Sequence, residues 1–310
     1  MKLGIIDWGI GGVSLLKKIR EKSDLDIIYF SDTGYLPYGK VETEELRARV
    51  SLVIQFLKNR NCDRIAVACN AASTVLPNDK NIFGVIEAAL DLVNQMNLNS
   101  IGVVGGKRTI ESEIYKKEFE KKGINVKQEI AQPLSALIEK GDLHSKELIR
   151  EIERIFTPLK NEFHILLACT HYPAIIPQIN AFLPNAVLID PIERMCDNIM
   201  NDVQEYKGNN STTWITSGNI QEMNHSIQLV YGIEPKQIEK KSFMNQFTKH
   251  TKEVNIVYLQ PMGYAFIVTG RLGMITFCYL IHAIFPFLFT NTTSKIIKQL
   301  PYNLENRNNH

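Results

Sequence analysis

The sequence predicts an α/β fold built on largely parallel sheet. Three observations carry that expectation. From Leu3 to about Phe243, short apolar runs alternate with longer stretches of helical period. The best of these runs each lead at once into small or polar residues, and two of them can be laid over each other.

In chain order, the first strand covers residues 3–6 and stops at Asp7, and the second, 26–30, continues an apolar run up to Phe30. Residues 64–68 lead into Cys69-Asn70, and a short run at 82–85 follows. Residues 100–104 run into Gly105-Gly106, 124–127 form a weaker strand, and 164–168 lead into Cys169-Thr170-His171. Runs at 186–189 and 213–216 complete the set, with helices filling the gaps. Ligands of open α/β sheets collect at the carboxyl ends of strands, so Asp7, Cys69, Gly105 and Cys169 mark where chemistry is expected.

Size and charge exclude several classes. At 310 residues, 45% hydrophobic and 22% charged, the chain is long enough for about two domains and is not a disordered or collagenous sequence. A formal charge of +2, from 35 basic and 33 acidic residues, with no basic stripe, argues against a nucleic-acid partner. The five cysteines, Cys62, Cys69, Cys169, Cys196 and Cys278, lack CxxC pairing and read as free thiols in a reducing compartment. Asp7 arrives too early for a secretory leader. No ligand quartet with zinc spacing and no GxxxxGK[ST] phosphate loop occurs, so no metal is expected. The acid in Asp7–Gly12 would repel a pyrophosphate. Spacing leaves a pyridoxal lysine open, but a pair of thiols makes it unnecessary.

That pair comes from the two runs that superimpose, Arg64-Ile65-Ala66-Val67-Ala68-Cys69-Asn70 and His164-Ile165-Leu166-Leu167-Ala168-Cys169-Thr170. A single cysteine in a strand is as often a small core residue as a functional one. Two at equivalent positions suggest thiols facing each other across an interdomain cleft. The amides of a following helix would be expected to lower a thiol pKa from about 8.5 toward neutrality.

After Phe243 the pattern changes. Residues 244–255 are polar and read as a linker, and 256–270 and 272–289 then carry no charged residue, with Arg271 between them. The second stretch reaches the ~18-residue threshold for a bilayer-spanning helix. Aromatic residues are dense there, and Lys295 and Lys298 follow, as at a membrane interface. A membrane-associated helical segment over 256–310 is the expectation; a buried hairpin packed on the preceding body stays open.

The ordered motifs Asp7-Trp8-Gly9-Ile10-Gly11-Gly12, Asp32-Thr33 with Pro37-Tyr38-Gly39, Cys69-Asn70-Ala71-Ala72-Ser73 and Cys169-Thr170-His171-Tyr172-Pro173 resemble the successive signatures of glutamate racemases in the aspartate/glutamate racemase superfamily. Glu139-Lys140-Gly141, Leu188-Ile189-Asp190 and Trp214-Ile215-Thr216-Ser217-Gly218 extend the resemblance over roughly residues 1–243. It implies two Rossmann-like, flavodoxin-like parallel-sheet domains in pseudo-twofold arrangement, the first made of 1–93 and 191–243 and the second of 94–190. It also implies a cofactor-independent isomerase acting on a free amino acid, with glutamate converted to supply D-glutamate for peptidoglycan, and a homodimer as an assembly found in the family.

The chemistry suits thiols. An α-hydrogen is weakly acidic, so its base must be strong, desolvated and held against the carbon, and inversion needs a proton acceptor on one face and a donor on the other. By similarity Cys69 and Cys169 take these parts, Asp7 assists the first, and Glu139 and His171 serve the second. Pro37, Tyr38, Gly39, Asn70, Thr109 and Thr170 align with substrate-holding positions. Trp8, Ala71 and Gly106 stand at positions where the family usually carries hydroxyl side chains, which points to an altered substrate. Other superfamily activities, such as aspartate or hydantoin racemases and maleate isomerases, stay open, whereas retention of both thiols argues against the single-cysteine decarboxylases. A catalytically silent ligand-binding regulator stays open too. The C-terminal stretch, from Gly263-Tyr264 through His282–Phe289, resembles a small bacterial membrane domain of unknown function. That resemblance implies location at the cytoplasmic membrane, with the racemase part facing the cytoplasm.

Overall fold

Ten parallel strands form two separate sheets in the computed structural model, which describes residues 1–203 and 208–243. They are β1 (Lys2–Asp7), β2 (Asp26–Ser31), β3 (Arg64–Val67), β4 (Ile82–Gly84), β5 (Ser100–Gly105), β6 (Asn125–Ile130), β7 (His164–Ala168), β8 (Val187–Ile189), β9 (Thr212–Thr216) and β10 (Ile238–Lys240). The larger sheet has the order β10-β9-β2-β1-β3-β4 and the smaller the order β6-β5-β7-β8. Every pairing in both is parallel, so helices must return the chain between strands and cover both faces.

The chain lays down β1 to β4, crosses to build the smaller sheet from β5 to β8, and returns through the helix Ile192–Val203 to add β9 and β10 to the first. That returning helix packs against Val13–Lys22 and Val85–Asn94. One core lies between these helices and the larger sheet, around Leu3, Ile5, Tyr29, Ile192 and Met195. Two further cores flank the smaller sheet, one around Leu134, Ile152, Phe156 and Leu167, the other around Val93, Val103, Phe119 and Leu166.

Local sequence explains the helices that close these cores. In Lys146–Phe156 the buried residues Leu148, Ile152, Ile155 and Phe156 recur at helical spacing, and Ser145 Oγ caps the start by accepting the Leu148 N–H at 3.0 Å. Asn219 caps Ile220–Tyr231 in the same way, and Gly232 ends that helix at φ +66°, a left-handed conformation that favours glycine.

The nine expected strands are all present, 164–168 with the expected bounds and the other eight with shifted ends. Residue 85 begins a helix rather than ending β4, and the weak run at 124–127 becomes the longer β6. The polar edge strand β10, Ile-Glu-Lys, carried no apolar signal and was not expected. Among the described residues no helix is long and apolar enough to cross a membrane. The expected linker at 244–255 and membrane segment at 256–310 lie outside the described residues.

Candidate functional site

The carboxyl ends of β1, β3, β5 and β7 deliver side chains into one cleft between the two sheets. Its lining includes Asp7, Trp8, Pro37, Tyr38, Gly39, Cys69, Asn70, Ala71, Thr109, Cys169, Thr170 and His171. Of the thirteen residues expected at the site, only Glu139 is set behind the wall, against His171.

On the larger-sheet side, Cys69 follows β3 and sits at the start of the one-turn helix Asn70–Ser73, only 8% exposed. Asp7 ends β1 and is 1% exposed; its Oδ1 accepts the Trp8 N–H at 2.6 Å and its Oδ2 accepts the Thr170 hydroxyl at 2.8 Å. Burial raises the Asp7 pKa above the usual carboxylate range, against the opposing pull of His171 and Thr170. Burial and then the negative charge of Asp7 push the Cys69 thiol well above its ordinary value, outweighing the amides of Ala72 and Trp8. This corrects the expectation of a thiol lowered by helix amides: one turn of helix supplies too little dipole to offset the loss of water.

The smaller sheet provides the opposite wall. Cys169 follows β7, with its Sγ 3.7 Å from His171 Nδ1. His171 Nε2 lies 2.7 Å from Glu139 Oε2, which also accepts the Ile10 N–H at 2.9 Å. Burial works against the imidazolium, but Cys169 and Glu139 outweigh it and hold the His171 pKa well above its ordinary value. A Cys–His–Glu line therefore runs from the cleft into the protein.

The Gly-rich turn after β1 makes this proximity available. A Cβ on Gly9 would fall 2.1 Å from Glu139 Oε2, and one on Gly11 would fall 2.3 Å from Thr170 Oγ1. Any side chain there would drive the two walls apart, so these glycines are required by close approach rather than by unusual dihedrals.

Substrate-facing groups are oriented from behind. Asn70, 3% exposed, accepts the Tyr115 hydroxyl on Oδ1 at 2.7 Å, leaving its buried Nδ2 without a hydrogen-bond partner. A buried amide donor left unpaired in a cleft is suited to an anionic ligand group. Tyr38 donates its hydroxyl to Asp32 Oδ2 at 2.6 Å. Asp32 is fully buried, is gripped by Arg49 at 2.8 and 2.6 Å, and accepts the Ser217 hydroxyl at 2.6 Å. Arg108, on the helix Lys107–Glu111 that carries Thr109, reaches back across the cleft to the Tyr38 carbonyl at 3.3 Å, Thr43 Oγ1 at 3.2 Å and the Val41 carbonyl. Trp8 donates its indole N–H to the Tyr35 carbonyl at 3.2 Å, which fixes its ring at the cleft wall.

Sequence reasoning did not find Tyr115, Gln132, Ser135 or the Arg49–Asp32 pair. Asp32 stands in the Asp32-Thr33 motif of the resemblance, which did not show its pairing with Arg49. Gln132 and Ser135 line the cleft from the helix Gln132–Glu139 and offered no signal. Among the described residues no cluster of His, Cys, Asp and Glu has the geometry to hold a metal ion.

Comparison with known proteins places this geometry in context. Residues 3–197 match the family described as Asp/Glu/Hydantoin racemase, and residues 244–307 match a family of unknown function, DUF6356. The chain is 34% identical to glutamate racemase 3 of Caldanaerobacter subterraneus subsp. tengcongensis, over 66% of this chain and 78% of that protein. It is 30% identical to glutamate racemase of Aquifex aeolicus, over 76% of this chain and 97% of the other. The crystal structure of Francisella tularensis glutamate racemase in complex with D-glutamate superimposes with a TM-score of 0.71 at 25% identity, over 78% of this chain and 97% of that one. Glutamate racemase from Aquifex pyrophilus superimposes at 0.65 with 29% identity, over 77% and 98% of the two chains.

Proposed function

The chain belongs to the Asp/Glu/hydantoin racemase family, and from that premise we propose that it inverts the α-carbon of a free amino acid by two-thiol chemistry of the glutamate racemase type. The observation that carries the reading is the pair Cys69 and Cys169 at the ends of strands in different sheets, lining one cleft, each backed by its own acid–base group.

In one direction the Cys169 sulfur takes the α-proton while the His171 imidazolium, held by Glu139, balances the charge beside it. The Cys69 thiol, which burial keeps protonated, delivers its proton to the opposite face. In the other direction Cys69 must first lose a proton, and Asp7 is the buried base nearest in role. Its raised pKa brings it closer to the thiol's and so lowers the cost of the transfer. The unpaired Asn70 amide receives the α-carboxylate, and Asp7 with Thr170 faces the amino group. No cofactor is required, because both proton carriers are side chains.

Deuterium incorporation at the α-carbon in heavy water tests this directly, with glutamate as the reference substrate because the relatives bear its name. Both enantiomers of a substrate should exchange with the unaltered chain, and Cys69→Ala and Cys169→Ala should each abolish inversion. Exchange that survives both substitutions would overturn the reading.

Residues 256–310 attach this body to the cytoplasmic membrane. Support comes from the two uncharged stretches, 256–270 and 272–289, and the lysines that follow. On fractionation the full chain should remain with membranes in high salt and leave them only with detergent; release by salt alone would refute an inserted segment.

A further inference from the structure

We infer that the cleft selects an amino acid with a short, uncharged side chain, and that Trp8 and Gln132 set this preference. The inference rests on the racemase reading of the preceding subsection and adds the substrate class to it.

Once the α-carbon lies between the thiols and the carboxylate lies at Asn70, the substrate side chain has to occupy what remains of the lining. That space is small. Before any substrate enters, about 50 Å³ of the whole cleft is open to the centre of a water-sized sphere, and the α-carbon, carboxylate and amino group draw on that same space. Trp8 lines one side, its ring anchored by the bond from Nε1 to the Tyr35 carbonyl and its backbone N–H committed to Asp7.

Gln132 closes the other side. A Cβ built on Gly39 would lie 2.8 Å from Gln132 Oε1, and one on Gly106 would lie 3.1 Å from it. The amide oxygen thus fills the gap that two glycines leave between the walls. Its orientation is determined by its partners: Oε1 accepts the Lys107 N–H at 3.2 Å and Nε2 donates to Ser135 Oγ at 3.1 Å.

This end offers a second carboxylate little compensation for its charge. No lysine or arginine lines the cavity. The Tyr38 hydroxyl is committed to Asp32, the Ser135 hydroxyl donates to the Gln132 carbonyl, and the Trp8 indole N–H is spent on Tyr35. Apart from Thr109 and the backbone of Gly39 and Gly106, a γ-carboxylate would meet an indole face and the Gln132 acceptor oxygen, with no lysine or arginine to neutralise it. Taking a charge out of water without a partner is expensive, whereas a methyl or hydroxymethyl group suits such a wall.

The test measures α-hydrogen exchange and inversion by the full chain for both enantiomers of alanine, serine, aspartate and glutamate. Alanine or serine should exceed glutamate in kcat/KM by at least 10-fold. Trp8→Ala should shift the glutamate-to-alanine ratio by at least 10-fold toward glutamate. Thermal-shift binding of each amino acid to the unaltered chain provides the same ranking without relying on the variant's folding. If glutamate turns over fastest, the selectivity inference falls and the racemase reading stands. If none of the amino acids exchanges, the racemase reading falls and takes the inference with it.

Discussion

Replacing Arg49 by Met should be among the most damaging single changes in the body of this protein. Arg49 is 6% exposed at its side chain and its partner Asp32 is 0% exposed, and the two meet through paired hydrogen bonds of 2.8 and 2.6 Å. Each charged hydrogen bond contributes about 1.5–3 kcal/mol, so losing both removes about 3–6 kcal/mol. An independent route gives a similar figure: stripping one partner from a buried ion pair costs about 3–5 kcal/mol, because the other charge is left uncompensated. After the change Asp32 keeps only the hydroxyls of Tyr38 and Ser217, each at 2.6 Å, which orient a carboxylate without neutralising it. For a body of this size about 1 kcal/mol corresponds to roughly 2–4 °C in Tm, so a loss of about 3–5 kcal/mol should lower the midpoint by roughly 6–20 °C. Thermal unfolding followed by near-ultraviolet circular dichroism measures it. The double variant Asp32→Leu with Arg49→Met provides the control: it removes both charges and should be no less stable than Arg49→Met alone. A single-variant loss below about 1 kcal/mol, or a double variant that loses the sum of two large effects, would refute the uncompensated-charge argument.

Three other outcomes follow from the same geometry. Cys69→Ser and Cys169→Ser should each lower racemisation by about 10²–10⁴-fold while leaving the circular dichroism spectrum unchanged, since each removes one proton carrier without removing volume. Tyr115→Phe leaves the buried Asn70 Oδ1 without its 2.7 Å donor and should cost about 1–3 kcal/mol in urea unfolding, together with a raised KM as the amide loses its orientation. The His171 pKa is raised in the folded state, so its contribution to stability is fully present below about pH 6.5 and is lost as pH rises through the folded value. Urea midpoints measured from pH 6 upward should show that decline, and Glu139→Gln should flatten it by removing one of the two groups that raise the imidazole.

How far the sequence could be read depended on whether a feature was local. Strands buried on both faces are near-continuous apolar runs, so β1, β3, β5 and β7 and the polar residues at their ends were legible, and these ends carry Asp7, Cys69, Gly105 and Cys169. The short polar β10 was not legible, because a single edge strand of three residues has no periodicity to detect. Among site residues, the thiols stood out because two equivalent motifs repeated, and their helpers because the ordered motif set resembled a family. Tyr115, Gln132 and Arg49 had no such local mark: Tyr115 reaches Asn70 across 45 positions of sequence, and Arg49 reaches Asp32 across 17.

By itself, then, the amino-acid order determined the α/β alternation, the cysteine pair and the family, since each is written in neighbouring residues. Only the tertiary structure decided which state the groups rest in and what the cleft admits. The Cys69 thiol is raised rather than lowered because burial beside Asp7 outweighs one turn of helix amides. The Trp8 ring forms a wall because the Tyr35 carbonyl, brought near by folding, receives its N–H. Desolvation and shape are sums over many distant atoms, and they exist only once those atoms are packed together.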